Sequence, residues 1–171
     1  MSAKKEKGVI QNFIYLFITL VAIWILLTRT FHFQELGTGI VISLILSLFL
    51  CKNYIKLGLP PLGFKRIVYF VGYLFVLFIE IVKANFDVAY RVIHPKMPIK
   101  PGVVIIKTSL KQDMAKLMLA NSITLTPGTF TLDIKGDKLL IHWIYVRSED
   151  MEESTKNIGE RFEKYLKVIF A

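Results

Sequence analysis

The first half of the chain alternates long apolar runs with short polar breaks, and the second half does not. The runs cover residues 13–27, 36–51 and 67–79. The third is followed by Glu80, Lys83, Asp87 and Arg91, at spacings of 3, 4 and 4 residues. On an α-helix this spacing puts all four charges on one face, each within reach of the next. The pattern predicts one continuous helix that carries a charged ladder beyond its apolar stretch. From residue 102 onward the pattern becomes the shorter periodicity of a small α+β domain.

The five segments predicted are a membrane hairpin of two short apolar helices (1–51), a Gly/Pro connector (52–64), a third membrane helix with the ladder (65–94), a Pro-rich linker (95–101) and the α+β domain (102–171). Lys4, Lys5 and Lys7 ahead of the first run resemble the start of a signal peptide, but Thr28, Arg29, Thr30 and Phe31 offer no small-residue cleavage site. An uncleaved membrane segment is therefore expected. In the second run Gly39, Ser43, Ser47 and Cys51 recur every four residues, a stripe that lets helices approach closely in lipid. All three runs are short against the roughly 20 residues a full crossing needs. The alternatives are snorkelling flanks, a locally thinned bilayer, or a hairpin that does not cross fully.

Topology is in tension. The N-terminal lysines and the group Lys52, Lys56, Lys65 and Arg66 both read as cytoplasmic by the positive-inside rule. Three full spans would then place the C-terminal domain outside, although Lys83, Arg91, Lys96 and Lys100 make its approach equally basic. Glu80 matters because an ionisable group at membrane depth is costly and marks a functional site by default. It is read either as part of a cation or proton path with Lys83 and Asp87, or as a solvated helix end and interface. Pro95, Pro98 and Pro101 stiffen the linker.

The domain reads β-α-β-β-α. A buried strand is expected over 103–106. A helix is expected from Ser109, with Gln112 completing a capping box and Asn121 as its stop. A turn is expected at Thr126, Pro127, Gly128 and Thr129, where Pro sets φ and Gly supplies the left-handed residue. Strands over 130–134 and 139–146 are joined around Gly136 and Asp137. One amphipathic helix over 148–170 presents Ile158, Phe162, Tyr165, Leu166 and Ile169 to the core. Strand alternation sends His142 and Trp143 to opposite sheet faces.

Composition sharpens this picture. The chain has 171 residues, 54% of them hydrophobic, above the roughly 45–50% of a soluble domain. The net charge is +9, with ten Lys/Arg against four Asp/Glu in residues 1–94 and twelve against nine in the rest. The basic excess flanks the apolar runs, which points to membrane orientation and anionic lipid rather than nucleic acid. Cys51 is the one cysteine, so an intrachain disulfide is excluded. His32, His94 and His142 stand apart, and no Gly-rich phosphate loop, nucleophile elbow or HExxH helix occurs. No catalytic, cofactor-binding or metal-ligating set is expected, and an enzyme is disfavoured.

The segment Asn121, Ser122, Ile123, Thr124, Leu125, Thr126, Pro127, Gly128 and Thr129, followed by a hairpin ending in Ile141, His142 and Trp143, is more specific. It resembles the E subunit of Mrp-type (Mnh-type) multisubunit cation/proton antiporters. The likeness extends to the N-terminal hydrophobic segments, to Glu80 through Asn85 on the third helix and to the proline-punctuated linker. It implies a small subunit of a large plasma-membrane complex that exchanges Na+ for H+. Ion translocation would be carried mainly by partner subunits, and the C-terminal domain would face the cytoplasm. Asn121, Thr124, Thr126, Pro127, Gly128, Thr129 and His142 would then be a family motif of structural character. Two rivals stand beside this reading. One is a membrane-anchored scaffold that presents the domain to a partner. The other is a membrane-bound enzyme using the Thr126–Thr129 turn and His142.

Overall fold

The computed structural model describes residues 2–30, 32–56 and 63–171, with the backbone alone for residues 2–9, 11 and 52–56. Gly58, Pro60 and Pro61 of the predicted connector lie outside the described residues. Two compact units are present, residues 1–61 and 62–171.

The first unit is a hairpin of α1 (Ser2–Thr28) and α2 (Phe33–Lys56). Gly39, Ser43, Ser47 and Cys51 are the buried residues of α2 among those described, while the leucines and isoleucines between them face outward. Small side chains allow the two backbones to close up, and dispersion between them substitutes for a hydrophobic driving force in lipid. The helices come close together at Gly39, where an added Cβ would overlap the Trp24 indole. Trp24 also donates its Nε1–H to the carbonyl oxygen of Glu35 at 3.1 Å, tying one helix to the start of the other.

The second unit begins with α3 (Phe64–Ile93), the 30-residue helix that the third apolar run and the ladder predict. It is followed by β1 (Gly102–Lys107), α4 (Asp113–Leu125), β2 (Thr129–Lys135), β3 (Lys138–Trp143), α5 (Met151–Ile158) and α6 (Glu160–Ile169). The strands form one antiparallel sheet in the order β1-β3-β2. A register shift between Thr131 and Asp133 marks a bulge in β2. The small sheet-containing domain after apolar helices agrees with the expected fold class.

One sheet face carries the core. Val104, Ile106, Leu139 and Ile141 are buried under Leu119, Ile123, Phe162 and Leu166 from the helices. Each such side chain contributes roughly 1.5–3 kcal/mol when taken fully out of water. The core does not stop at the domain. Tyr73 of α3 is buried within it, and Tyr69, Val76 and Leu77 pack against it. The opposite sheet face is open: Val103, Ile105, Phe130 and Leu132 are exposed. At its far end Lys107, Lys138 and Lys135 stand side by side across the three strands.

Several local expectations are corrected. The 103–106 strand is buried on one face only, because no layer covers Val103 and Ile105. The helix expected from Ser109 starts at Asp113, and Gln112 is its N-cap without a side-chain capping bond. Ser109 is drawn away, since its N–H and Oγ–H both donate to Glu163 Oε1, at 2.9 and 2.6 Å. The same helix runs past Asn121 to Leu125, where Ser122 and Thr126 return their hydroxyls to the carbonyls of Met118 and Ser122. The second hairpin strand ends at Trp143 rather than Val146, whose N–H goes instead to Lys100 O at 2.8 Å. The single helix expected over 148–170 is two, broken at Gly159, where the backbone passes close to Ile106.

Candidate functional site

The charged ladder of α3 lies on the side of the helix that meets the domain. Glu80 is the most enclosed of the ladder's carboxylates, its side chain 14% exposed. Oε1 accepts from Lys83 Nζ at 3.2 Å, and Oε2 is paired with Nη1 of Arg161 on α6. The other arm of the Arg161 guanidinium donates to the carbonyl oxygen of Asn157, one turn earlier in chain order. Both carboxylate oxygens of Glu80 are therefore engaged by cations.

Asp87 and Arg91 form a separate pair. Arg91 Nε and Nη2 reach the two Asp87 oxygens at 2.7 and 3.0 Å, the two-pronged geometry that makes an arginine–carboxylate pair directional. Arg91 Nη1 donates to Pro98 O at 2.6 Å, and the guanidinium lies 4.1 Å from the centre of the Tyr145 ring. One side chain thus fixes the end of α3, the Pro-rich linker and the segment after β3. The ladder is not continuous: it is two pairs, Glu80 with Lys83 and Asp87 with Arg91.

Between these pairs and the domain is a cavity of about 250 Å³. Glu80, Lys83, Asp87, Arg147 and Arg161 supply its charges, and Thr126, Thr129 and Trp143 part of its floor. The structure thus brings Glu80, Lys83 and Asp87 to the same cavity as Thr126, Pro127 and Thr129. It does not bring His142 there, which is exposed on the open sheet face, opposite to Trp143. Asn121 and Thr124 are also exposed.

The hydroxyls of the nonapeptide are committed to backbone. Thr126 Oγ1 donates to Ser122 O at 2.9 Å, and Thr129 Oγ1 to Ile123 O at 2.6 Å. Thr124 Oγ1 accepts from the N–H of Thr131 at 3.2 Å. Gly128 has φ +91°, a left-handed conformation that disfavours any side chain, and its carbonyl accepts the Ile144 N–H at 2.8 Å. These bonds close the passage from α4 into β2.

Arg161, Arg147, Tyr73 and Glu163 escaped the sequence reading. Arg161 lies 81 residues from Glu80, and nothing local in the sequence marks a partner at that distance. Glu163 is the buried carboxylate of the domain. Burial alone would push its pKa up, but the hydroxyl and N–H of Ser109, with Lys167 and Thr108, hold it below the usual range. No cluster of three or more metal-ligating side chains occurs among the described residues.

Residues 17–169 match the family model described as Na+/H+ ion antiporter subunit. The chain is 33% identical over 148 residues to the E1 subunit of the Na+/H+ antiporter of Staphylococcus saprophyticus, covering 85% of this chain and 89% of that one. It is 30% identical over 146 residues to the E subunit of the Na+/H+ antiporter of Bacillus subtilis, covering 85% and 90%. Among solved structures it is similar to a chain of the membrane-bound sulfane sulfur reductase, an archaeal respiratory membrane complex. There the TM-score is 0.78 and the identity 47%, over 92% of this chain and 98% of that one.

Proposed function

Since the chain belongs to the family of Na+/H+ antiporter subunits, as one of the E type, we propose that it works as a structural subunit of a multisubunit cation/proton antiporter in the plasma membrane. The two apolar helices anchor it, the C-terminal domain faces the cytoplasm, and the translocated ions pass through partner subunits. It carries out no catalysis of its own. The observation that carries this reading is the engagement of Glu80. A proton–cation exchanger needs a carboxylate at which proton and cation compete, and here Lys83 and Arg161 already occupy both oxygens. Glu80 acts as a brace between α3 and the domain, and with Lys83 and Asp87 it forms part of an interface rather than an ion path.

The likeness to the archaeal complex favours a second reading of the surroundings. Identity is 47% to that chain, against 33% to the antiporter subunit of Staphylococcus saprophyticus and 30% to that of Bacillus subtilis. The cation-exchange machinery that this subunit supports then belongs to a larger respiratory assembly. Purification of the tagged chain from native membranes in mild detergent, with every co-purifying protein identified, tests both. Large antiporter-type membrane subunits alone support the first reading, and the same subunits with redox proteins support the second. If the chain is recovered alone or with soluble proteins only, the subunit assignment fails and a membrane-anchored scaffold replaces it.

A further inference from the structure

By length and composition α3 qualifies as a membrane span, yet its packing is that of a helix lying against a polar domain. Contacts with the domain and linker extend along almost the whole helix. Arg66 donates to the carbonyl oxygen of Ala171, Gly72 passes under the Tyr165 ring, Tyr73 meets Ser122, Glu80 meets Arg161, and Arg91 reaches Pro98. From Arg66 to Arg91 this is 25 residues, or about 38 Å of helix at 1.5 Å per residue. That exceeds the roughly 30 Å of hydrocarbon in a bilayer. If α3 crossed, α6 would have to accompany it with Glu160, Arg161, Glu163, Lys164 and Lys167, and the sheet would bring its open edges. Charged side chains at that depth are costly, and open sheet edges facing lipid do not occur.

The side of α3 turned away from the domain is apolar along its length except at Asn85, which is exposed on the same face and returns its side-chain amide to Ile81 O at 2.8 Å. Phe64, Ile67, Val71, Phe75, Phe78, Val82, Phe86 and Ile93 are all exposed and fall at helical spacing along one stripe. A long apolar stripe opposite the face that carries the helix's charged residues is the pattern of a helix that lies in the membrane interface. We propose that α3 does not cross the membrane but lies in its plane, with the Phe64–Ile93 stripe in the boundary between headgroups and acyl chains. Only α1 and α2 then cross.

Three features of the chain favour lipid as the occupant. Seven residues separate Lys56, the last of α2, from Phe64, a reach of at most about 28 Å, so the start of α3 is tethered within that distance of the end of a membrane helix. Lys65, exposed at the start of the same helix, supplies positive charge for an anionic leaflet. Finally, two crossings remove the tension in the charge pattern. Lys4, Lys5 and Lys7 at the start of α1, Lys52 and Lys56 at the end of α2, and Lys65 and Arg66 at the start of α3 fall on one side, with Arg29 alone between α1 and α2. The inference rests on the membrane-subunit reading above and adds how the second unit meets the bilayer.

The test is a depth profile on the full chain with Cys51 replaced by serine, in vesicles of phosphatidylglycerol and phosphatidylethanolamine. Single spin labels are placed at residues 67, 71, 75, 78, 82 and 86, and their collisions with oxygen and with an aqueous nickel chelate are compared. All six are expected at one shallow depth, about 5–10 Å into the boundary. A profile that deepens towards Phe75 and Phe78 and becomes shallow again at Val82 and Phe86 would mean a crossing helix and overturn the proposal. Labels shielded from both reagents would mean that another protein surface or a second copy covers the stripe, which also overturns it. A label at Ile45 of α2 is the internal reference. If it reads mid-bilayer, a failed α3 profile counts against α3 alone. If it reads aqueous, the membrane reading fails and the proposal falls with it.

Discussion

The hydroxyl of Tyr73 on α3 lies 2.5 Å from the hydroxyl of Ser122 on α4, inside the buried core. Ser122 passes its own hydrogen to Met118 O at 2.7 Å, so the Tyr73 hydroxyl is the donor. The pair joins the helix of the first apolar half to the motif-bearing helix of the domain. Replacing Tyr73 with phenylalanine removes one hydrogen bond and keeps the ring, for an expected cost of about 1 kcal/mol. Tyr73→Ala also empties the ring's site in the core, for an expected loss of roughly 3–5 kcal/mol. Thermal unfolding of the purified chain in detergent checks the order. Equal effects of the two changes would show that the ring is not part of the core.

If Glu80 braces the helix to the domain, the charges at residues 80 and 161 matter as a pair. Arg161→Glu is expected to lower the yield of assembled complex several-fold, and Glu80→Arg in the same chain to restore part of it. Ion exchange measured per assembled complex is expected to stay close to the parent's in Glu80→Gln. Normal assembly with lost exchange in Glu80→Gln would instead place that carboxylate on an ion path.

Glu163 gives a pH dependence whose sign is fixed. Its folded-state pKa lies below its ordinary value of 4.5. Its contribution to stability is therefore fully present above the unfolded-state pKa and is lost as pH falls through the lower folded-state value. Glu163→Gln is expected to cost about 1–3 kcal/mol at neutral pH and to flatten the decline in stability below about pH 4.5. Unfolding midpoints measured from pH 7 down to pH 3 for both chains decide it. Parallel curves would mean that the carboxylate is not the group being titrated.

At the hairpin, Gly39→Leu would drive a side chain into the Trp24 indole. The expected outcome is a separated α1–α2 pair. It is read as a lowered unfolding midpoint of the purified chain in detergent relative to the Gly39 parent, while Gly37→Leu, in open space, leaves the midpoint unchanged. An unchanged midpoint in Gly39→Leu would show that the close approach is not needed to hold the hairpin together.

The hydrophobic pattern made the architecture legible: apolar helices, then an antiparallel sheet with helices on one side, with His142 and Trp143 sent to opposite faces. What the pattern hid was set by distant partners. Ser109 and Gln112 spell a helix start, but Glu163, 54 residues later, takes both donors of Ser109 and delays the helix to Asp113. The amphipathic rhythm over 148–170 continues through Gly159, so only the proximity of Ile106 reveals the break. Both faces of the apolar third run are apolar and differ in what packs on them, and Arg161, which holds the helix just beyond that run, gives no signal in the neighbourhood of Glu80.

The attachments of α3 have a mechanical consequence. Arg66, Tyr73, Glu80 and Arg91 hold the helix at four levels along its axis. A rotation about that axis, or a slide of one turn, would break a polar contact at every level at once. Motion arriving at either end of α3 is therefore passed to the whole unit as from a rigid lever, and the sheet swings with the helix instead of yielding to it.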